Sequence, residues 1–335
     1  MSMQPTLTLA KLRLSMVGVL ALVIGLGTLI LTAIFMYLMP ATSFEYLMIY
    51  ALLFAVAIHI IQWLIGPKII EAIYRVKEFP KDSPLYHRLK DIVRRVSEVS
   101  GLSEVPKLMY ADIKIPNAFA YGTPFSGYKV ALTRGLLENL PIDEVEAVVA
   151  HEIGHIKHKD IVVMMIISII PAIIYWLGQM LYRVAIFSAF LGGRREREAG
   201  AAPALFLLLG LLLIALSFVF NLITLYLSRL REYYADSHAA LTVRDGARKL
   251  QRALARILLI SGALKSMGYN VGKYSQFKSF FIEDPEQGIV VRGYRYDIDK
   301  IVEEIKRMKP SALEIFSSHP HPAKRLRFLD QFVTA

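Results

Sequence analysis

The stretch Ala150-His151-Glu152-Ile153-Gly154-His155-Ile156-Lys157-His158-Lys159-Asp160 runs directly into Ile161–Tyr182, 22 residues without a charge. In a helix, residues i and i+4 stack on one face a turn apart, so His151 and His155 can reach one metal ion. Glu152 stands one residue round from that face, where it can address water at the metal rather than the metal itself. The uncharged run behind them is long enough to cross a bilayer, which takes ~20 apolar residues. The expected fold therefore carries a metal-binding helix at a membrane surface.

Three more uncharged runs lie outward from this stretch: Leu14–Met39, Leu47–Gly66 and Ala201–Ser228, of 26, 20 and 28 residues. They explain an unusual composition. The 335 residues are 55% apolar and only 20% charged, with mean hydropathy +0.45, whereas a soluble chain is ~25% charged. Outside the four runs the charge density is ordinary. The first run exceeds the ~7–15 residue core of a cleavable signal and lacks a small-x-small site, so it reads as a retained anchor. His59 reads as a near-interface side chain rather than a proton relay. Four spans divide the chain into an N-terminal hairpin (1–66), a first catalytic segment (67–160), a second hairpin (161–228) and a second catalytic segment (229–335). Two spans separate the catalytic segments, so they share one side of the membrane.

Charge sets the side. Lys11 and Arg13 precede the first run and the 40–46 loop has no basic residue, which places the N-terminus and both catalytic segments in the cytoplasm. Arg183, Arg194, Arg195 and Arg197 run against this, but the flanks on the inner side outnumber them: Lys68, Arg75, Lys77, Lys157, Lys159, Arg229 and Arg231. The net charge of +11 then reflects membrane orientation and anionic lipid, and no aromatic-basic motif points to nucleic acid. The chain has no cysteine, which excludes disulfides, thiolate ligands and a cysteine nucleophile.

Within 67–160, helical sequence reaches about Gly101, and Val105–Ala111, Lys114–Tyr121 and Tyr128–Thr133 read as short strands. Pro141, Asp143, Glu144 and Glu146 suit the N-terminus of the helix that carries His151. In 229–335, Ile298, Ile301, Val302, Ile305 and Met308 form an amphipathic stripe. Gly268–Tyr296 reads as loop or short strands, and a last helix starts at Pro322. The expected class is mainly α with a small β-sheet.

A catalytic zinc site needs a third protein ligand and an open position. His158 is too close on the same helix for good tetrahedral geometry and reads as an interfacial side chain. Glu232 is the better candidate. His155 lies six residues before the third run and Glu232 four after the fourth, so paired spans bring them to similar heights above one membrane face. Asp236, one turn on, either orients a ligating His or forms an ordinary salt bridge with Arg231 or a neighbour. Ile113–Gly122 can present an edge strand to a peptide, with Asn117 fixing its backbone beside Ala118 and Phe119. His319 or Arg325 either donates to the developing oxyanion or belongs to the start of the C-terminal helix.

Taken in order, Pro116-Asn117-Ala118-Phe119-Ala120-Tyr121-Gly122, Thr133-Arg134-Gly135-Leu136-Leu137, His151–His155 with Asp160, Arg231-Glu232-Tyr233-Tyr234-Ala235-Asp236, and Ser318-His319-Pro320 with Arg325 are similar to the HtpX family of membrane-bound zinc metalloproteases, relatives of the type I CAAX prenyl proteases. The resemblance covers nearly the whole chain. It implies a zincin-like (gluzincin) catalytic domain split around a transmembrane hairpin, with one zinc held by His151, His155 and Glu232 and Glu152 as acid/base. It also implies a multi-pass inner-membrane enzyme facing the cytoplasm, cutting membrane-protein or peptide substrates in quality control. Tyr121, where the family favours a small residue, and His321, where it often has Pro, depart from the pattern away from the metal set. Two rival readings are a CAAX-type protease trimming prenylated tails and a non-catalytic membrane scaffold with a vestigial zinc motif. The sequence does not speak to oligomeric state.

Overall fold

The computed structural model describes residues 57, 60–61, 63–191, 201–269, 282–283, 287–289 and 297–333. The expected span 14–39, most of 47–66 with His59, and most of 268–296 lie outside these residues. The described chain is mainly helical with one four-stranded sheet. It forms two compact units: Trp63–Val162 with Ser228–Ala335, and, among the described residues, Val163–Leu227.

In the first unit, helix α1 (63–74) leads to β1 (Val76–Glu78), α2 (Tyr86–Val99), β2 (Lys107–Ala111), β3 (Ala118–Thr123) and β4 (Gly127–Thr133). The sheet order is β1-β2-β4-β3, with β2 and β4 parallel and the other pairs antiparallel. β3 is therefore an edge strand. It starts at Ala118, later than the sequence pattern suggests, because Pro116 has no N–H to give a ladder. Ile113 and Ile115 are instead buried with Phe119 and Tyr121. The three-residue β1 is too short for an alternating pattern to reveal.

Thr133 fixes the exit from the sheet. Its hydroxyl oxygen accepts from the Leu136 N–H, capping α3 (Arg134–Asn139), and from the Asn117 N–H at 2.8 Å. Thr133→Val keeps the shape and removes the one oxygen that accepts both N–H groups. We expect it to cost about 1–3 kcal/mol, measured by thermal or denaturant unfolding in detergent.

α4 (Ile142–Lys157) carries the histidines and is the centre of the unit, with Glu144, Val145 and every residue from Ala147 to Gly154 buried. Its apolar side chains share a core with Leu89, Val93 and Val96 of α2 and with Leu250, Leu254 and Ile257 of α7 (Gly246–Ser266). A helix walled on several sides has no polar face, so its register is set by packing all round. α8 (Ile298–Arg307) buries Ile301, Val302 and Ile305 as its stripe requires, and α9 opens with Pro322 (Pro322–Leu329).

Between α4 and α7 run α5 (Asp160–Leu191) and α6 (Ala202–Thr242). Both are long and apolar enough to cross a membrane, and only 17% and 22% of their most apolar windows are buried. A core helix of a soluble protein would be mostly covered. Within the second unit Gly178 faces Gly210: a Cβ on Gly178 would lie 3.0 Å from the Gly210 carbonyl oxygen. Small residues at this contact let the two backbones approach closely, as in membrane helix pairs. At ~1.5 Å per residue the 41 residues of α6 reach about 60 Å, twice a ~30 Å hydrocarbon core. Its C-terminal part, with Glu232, enters the first unit.

Candidate metal centre

His151 and His155 lie one turn apart on α4, with their Nε2 atoms 3.2 Å from each other. Glu232 of α6 approaches both: Oε2 is 3.6 Å from His151 Nε2, and Oε1 is 3.6 Å from His155 Nε2. Among the described residues these three form the one group of His, Asp and Glu whose donor atoms converge closely enough to hold a metal ion. α4 and α6 can meet here because residue 154 is glycine. A Cβ at that position would lie 3.1 Å from His238 Cβ and 3.3 Å from Ala235 Cα.

The residues fit a divalent cation. Two nitrogens bonded at ~2.0–2.1 Å to one tetrahedral ion stand about 3.3 Å apart, close to the separation found. Buried Glu232 Oε2 has no hydrogen-bond donor among the described residues, as expected of an oxygen reserved for a metal. The outer nitrogens face acids: His151 Nδ1 is 3.0 Å from Asp236 Oδ1, and His155 Nδ1 is hydrogen-bonded to Asp160 Oδ2 at 2.6 Å. A carboxylate at Nδ1 favours the proton there and leaves the Nε2 lone pair facing inward. Burial works against a charge on His151, but the carboxylates of Asp236 and Glu232 prevail and push its pKa up to about 9. The field that draws a proton to this pocket also draws a cation.

Glu152 is buried beside the histidines, and its Oε2 accepts the Ala120 N–H of β3 at 2.8 Å. Burial raises its pKa above the usual carboxylate range, against the pull of His151 and His155. A carboxyl whose pKa is raised in this way is a stronger proton acceptor than a free carboxylate and can return the proton it takes. The contact also orients the edge strand. The Ala120 N–H points away from β4, and by alternation so do the polar backbone groups of Ala118 and Gly122.

The remaining candidates separate. Asp236 is beside His151 and also grips Arg325, whose Nε and Nη2 donate to its two oxygens at 2.9 and 2.6 Å. Arg325 is fully buried; its Nη1 donates to Glu283 at 3.1 Å and to the Ile282 carbonyl, and lies 3.6 Å from Glu232 Oε2. His319 is buried with Nε2 at 3.8 Å from Glu232 Oε1. Asn117 is buried, and its side-chain oxygen accepts the Ile282 N–H at 2.9 Å. Ala118 and Phe119 are buried, the Phe119 ring lying against Tyr74 and Tyr121. His158 lies tilted against Tyr234, ring centroids 3.9 Å apart, and meets His238 edge-on, outside the converging group.

Asp160 has a place at the centre that sequence reasoning did not assign. A left-handed Lys159 (φ 56°) breaks α4 from α5 and folds Asp160 back onto His155. An acid at the mouth of an uncharged run was an available signal. Glu283 offered none, since it sits in a stretch without periodicity. Asp160→Asn should weaken metal affinity about 10–100-fold, as removal of such outer partners does; titration against a competing chelator measures it.

The model of a family described as Peptidase family M48 matches residues 85–333. The chain is 38% identical over 324 residues to "Protease HtpX homolog 2" of Saccharolobus solfataricus, covering 96% of this chain and 97% of that protein. It is 36% identical over 325 residues to "Protease HtpX homolog" of Thermoplasma acidophilum, covering 96% of each. The corresponding protein of Aeropyrum pernix is 39% identical over 284 residues, 84% of this chain and 85% of that one. A crystal structure of S. mikatae Ste24p aligns with a TM-score of 0.49 at 22% identity, over 97% of this chain and 67% of that one. The chain belongs to peptidase family M48 and is a metalloprotease, a hydrolase of peptide bonds.

Proposed function

We propose that this metalloprotease is a zinc endopeptidase that cuts misfolded or damaged membrane proteins in membrane quality control. The observation that carries the reading is the hydrogen bond from Ala120 to Glu152. It joins the acid/base to the edge strand beside the converging His151, His155 and Glu232. These three would hold one zinc per chain, which when bound would supply a Lewis acid for the scissile carbonyl and lower the pKa of the attacking water. The peptide lies along Ala118–Ala120 as an added strand, held by main-chain hydrogen bonds. Glu152 exchanges the Ala120 N–H for the water's proton and passes that proton to the leaving amine. Asp236 and Asp160 keep the imidazoles oriented. His319, facing the carboxylate of Glu232, donates to the carbonyl oxygen as charge develops there. Arg325 acts through Asp236, and Asn117 holds Ile282 beside the strand.

The spans 14–39, 47–66, 161–182 and 201–228 hold the enzyme in the inner membrane, with the catalytic domain split around the second hairpin and facing the cytoplasm. Full-length protein purified in detergent without chelator should contain about one zinc per chain. It should cleave an unfolded membrane protein faster than the same protein folded, and faster than a prenylated peptide. Preference for the prenylated peptide would move the reading to tail trimming; equal rates on folded and unfolded substrate would remove the quality-control role.

A further inference from the structure

The turn Ala312–Phe316 has its polarity reversed relative to a water-facing surface. Leu313, Ile315 and Phe316 are 70%, 50% and 51% exposed. Glu314, the charged residue among them, is turned inward with its side chain 11% exposed. It accepts the His321 N–H at 3.0 Å and Lys324 Nζ at 2.6 Å. Water selects the opposite arrangement. The turn is built to hold this pose. Ser311 Oγ accepts the Leu313 N–H, and Arg229 Nη1 reaches the carbonyl oxygens of Glu314, Ile315 and Ser317 at 3.1, 3.3 and 2.7 Å.

Arg229 sets the height. It is the first charged residue after the uncharged run Ala201–Ser228, so it stands where α6 leaves the hydrocarbon. A turn clamped to Arg229 is therefore at the bilayer surface. Exposed Arg307 and Lys309 on the approach to the turn suit phosphate headgroups.

We propose that Ala312–Phe316 inserts Leu313, Ile315 and Phe316 into the bilayer surface. The turn anchors the arm that carries His319, three residues further on, beside Glu232. The metal centre is thereby held close to the membrane, where a peptide leaving the bilayer meets it. The inference rests on α5 and α6 spanning the membrane, and the test separates the two.

The chain has no cysteine, so L313C, F316C, L211C and R88C each provide a single thiol for an environment-sensitive fluorophore in full-length protein reconstituted into phospholipid vesicles. Labels at 313 and 316 should be quenched at least about twofold more by shallow lipid nitroxides than by aqueous iodide. The label at Leu211, in the middle of the uncharged run, should respond to deep nitroxides, and the label at exposed Arg88 to iodide. If 211 is lipid-quenched while 313 and 316 respond to iodide, the insertion is overturned and the spans stand. Shielding of 313 and 316 from both quenchers means that protein covers the turn, which also overturns it. Iodide access at 211 removes the spans and the insertion together. Leu313→Asp with Phe316→Asp should leave cleavage of a soluble peptide unchanged and lower cleavage of a bilayer-embedded substrate several-fold; equal effects on both count against the anchor.

Discussion

Glu152→Gln should retain the metal and lose peptide cleavage, with kcat falling by about 10²–10⁴-fold or more for want of a proton acceptor. The substitution changes little else. Gln has the shape of Glu, and its amide oxygen can still accept the Ala120 N–H that Glu152 Oε2 holds at 2.8 Å. His151, His155 and Glu232 keep their positions, because their packing comes from α4, α6 and the acids behind the imidazoles. Burial already penalises the charged form of Glu152, so a neutral side chain there should leave the melting temperature unchanged or slightly raised. Glu152→Ala is a poorer test, since it strands a buried N–H on the edge strand. Metal analysis, initial rates and thermal melting on one preparation distinguish the outcomes. Near-normal cleavage by Glu152→Gln would remove Glu152 from the mechanism, and metal loss would make it part of the ligand set.

The elements that the sequence makes legible are those governed by short-range rules. His151 and His155 are readable because a helical turn brings i and i+4 together, and α9 because Pro322 suits a helix start. Glu232 is readable from its place four residues after an uncharged run, once that run is paired with the one that follows His155. Contacts set by the tertiary fold obey no such rule. Arg325 meets Asp236 across 89 residues and Glu283 across 42, and no spacing in the chain announces either pairing. The ion pair of Asp236 is with Arg325 rather than with Arg231, which instead lies 3.7 Å from Asp160, and one oxygen of the same carboxylate lies near His151. Asn117 shows the converse. Its place in the segment that supplies an edge strand is visible in the sequence, but its bond to Ile282 depends on a segment 165 residues away.

Arg325→Met should be the most destabilising single change outside the metal ligands, at about 3–5 kcal/mol. Arg325 is wholly buried and is the shared cation of three carboxylates: Asp236 and Glu283 by direct hydrogen bonds, and Glu232 at 3.6 Å. Met fills much of the volume, so the cost is electrostatic rather than that of a cavity. Three buried acids lose their counter-charge, and the Ile282 carbonyl loses a donor. Arg325→Lys separates charge from geometry. It keeps one positive charge but cannot bind Asp236 through two parallel N–H groups while also reaching Glu283, and should fall between wild type and Met. A loss confined to stability would make Arg325 a structural ion-pair centre. Its proposed action through Asp236 requires more: metal affinity should also fall about 10–100-fold, as when an outer partner of a ligating histidine is disturbed. Asp236→Asn should reproduce that fall, and combining it with Arg325→Met should weaken metal binding by less than the product of the two single effects. Full additivity would separate Arg325 from the metal site, because two residues that reach the ion through one carboxylate cannot each lose that path independently.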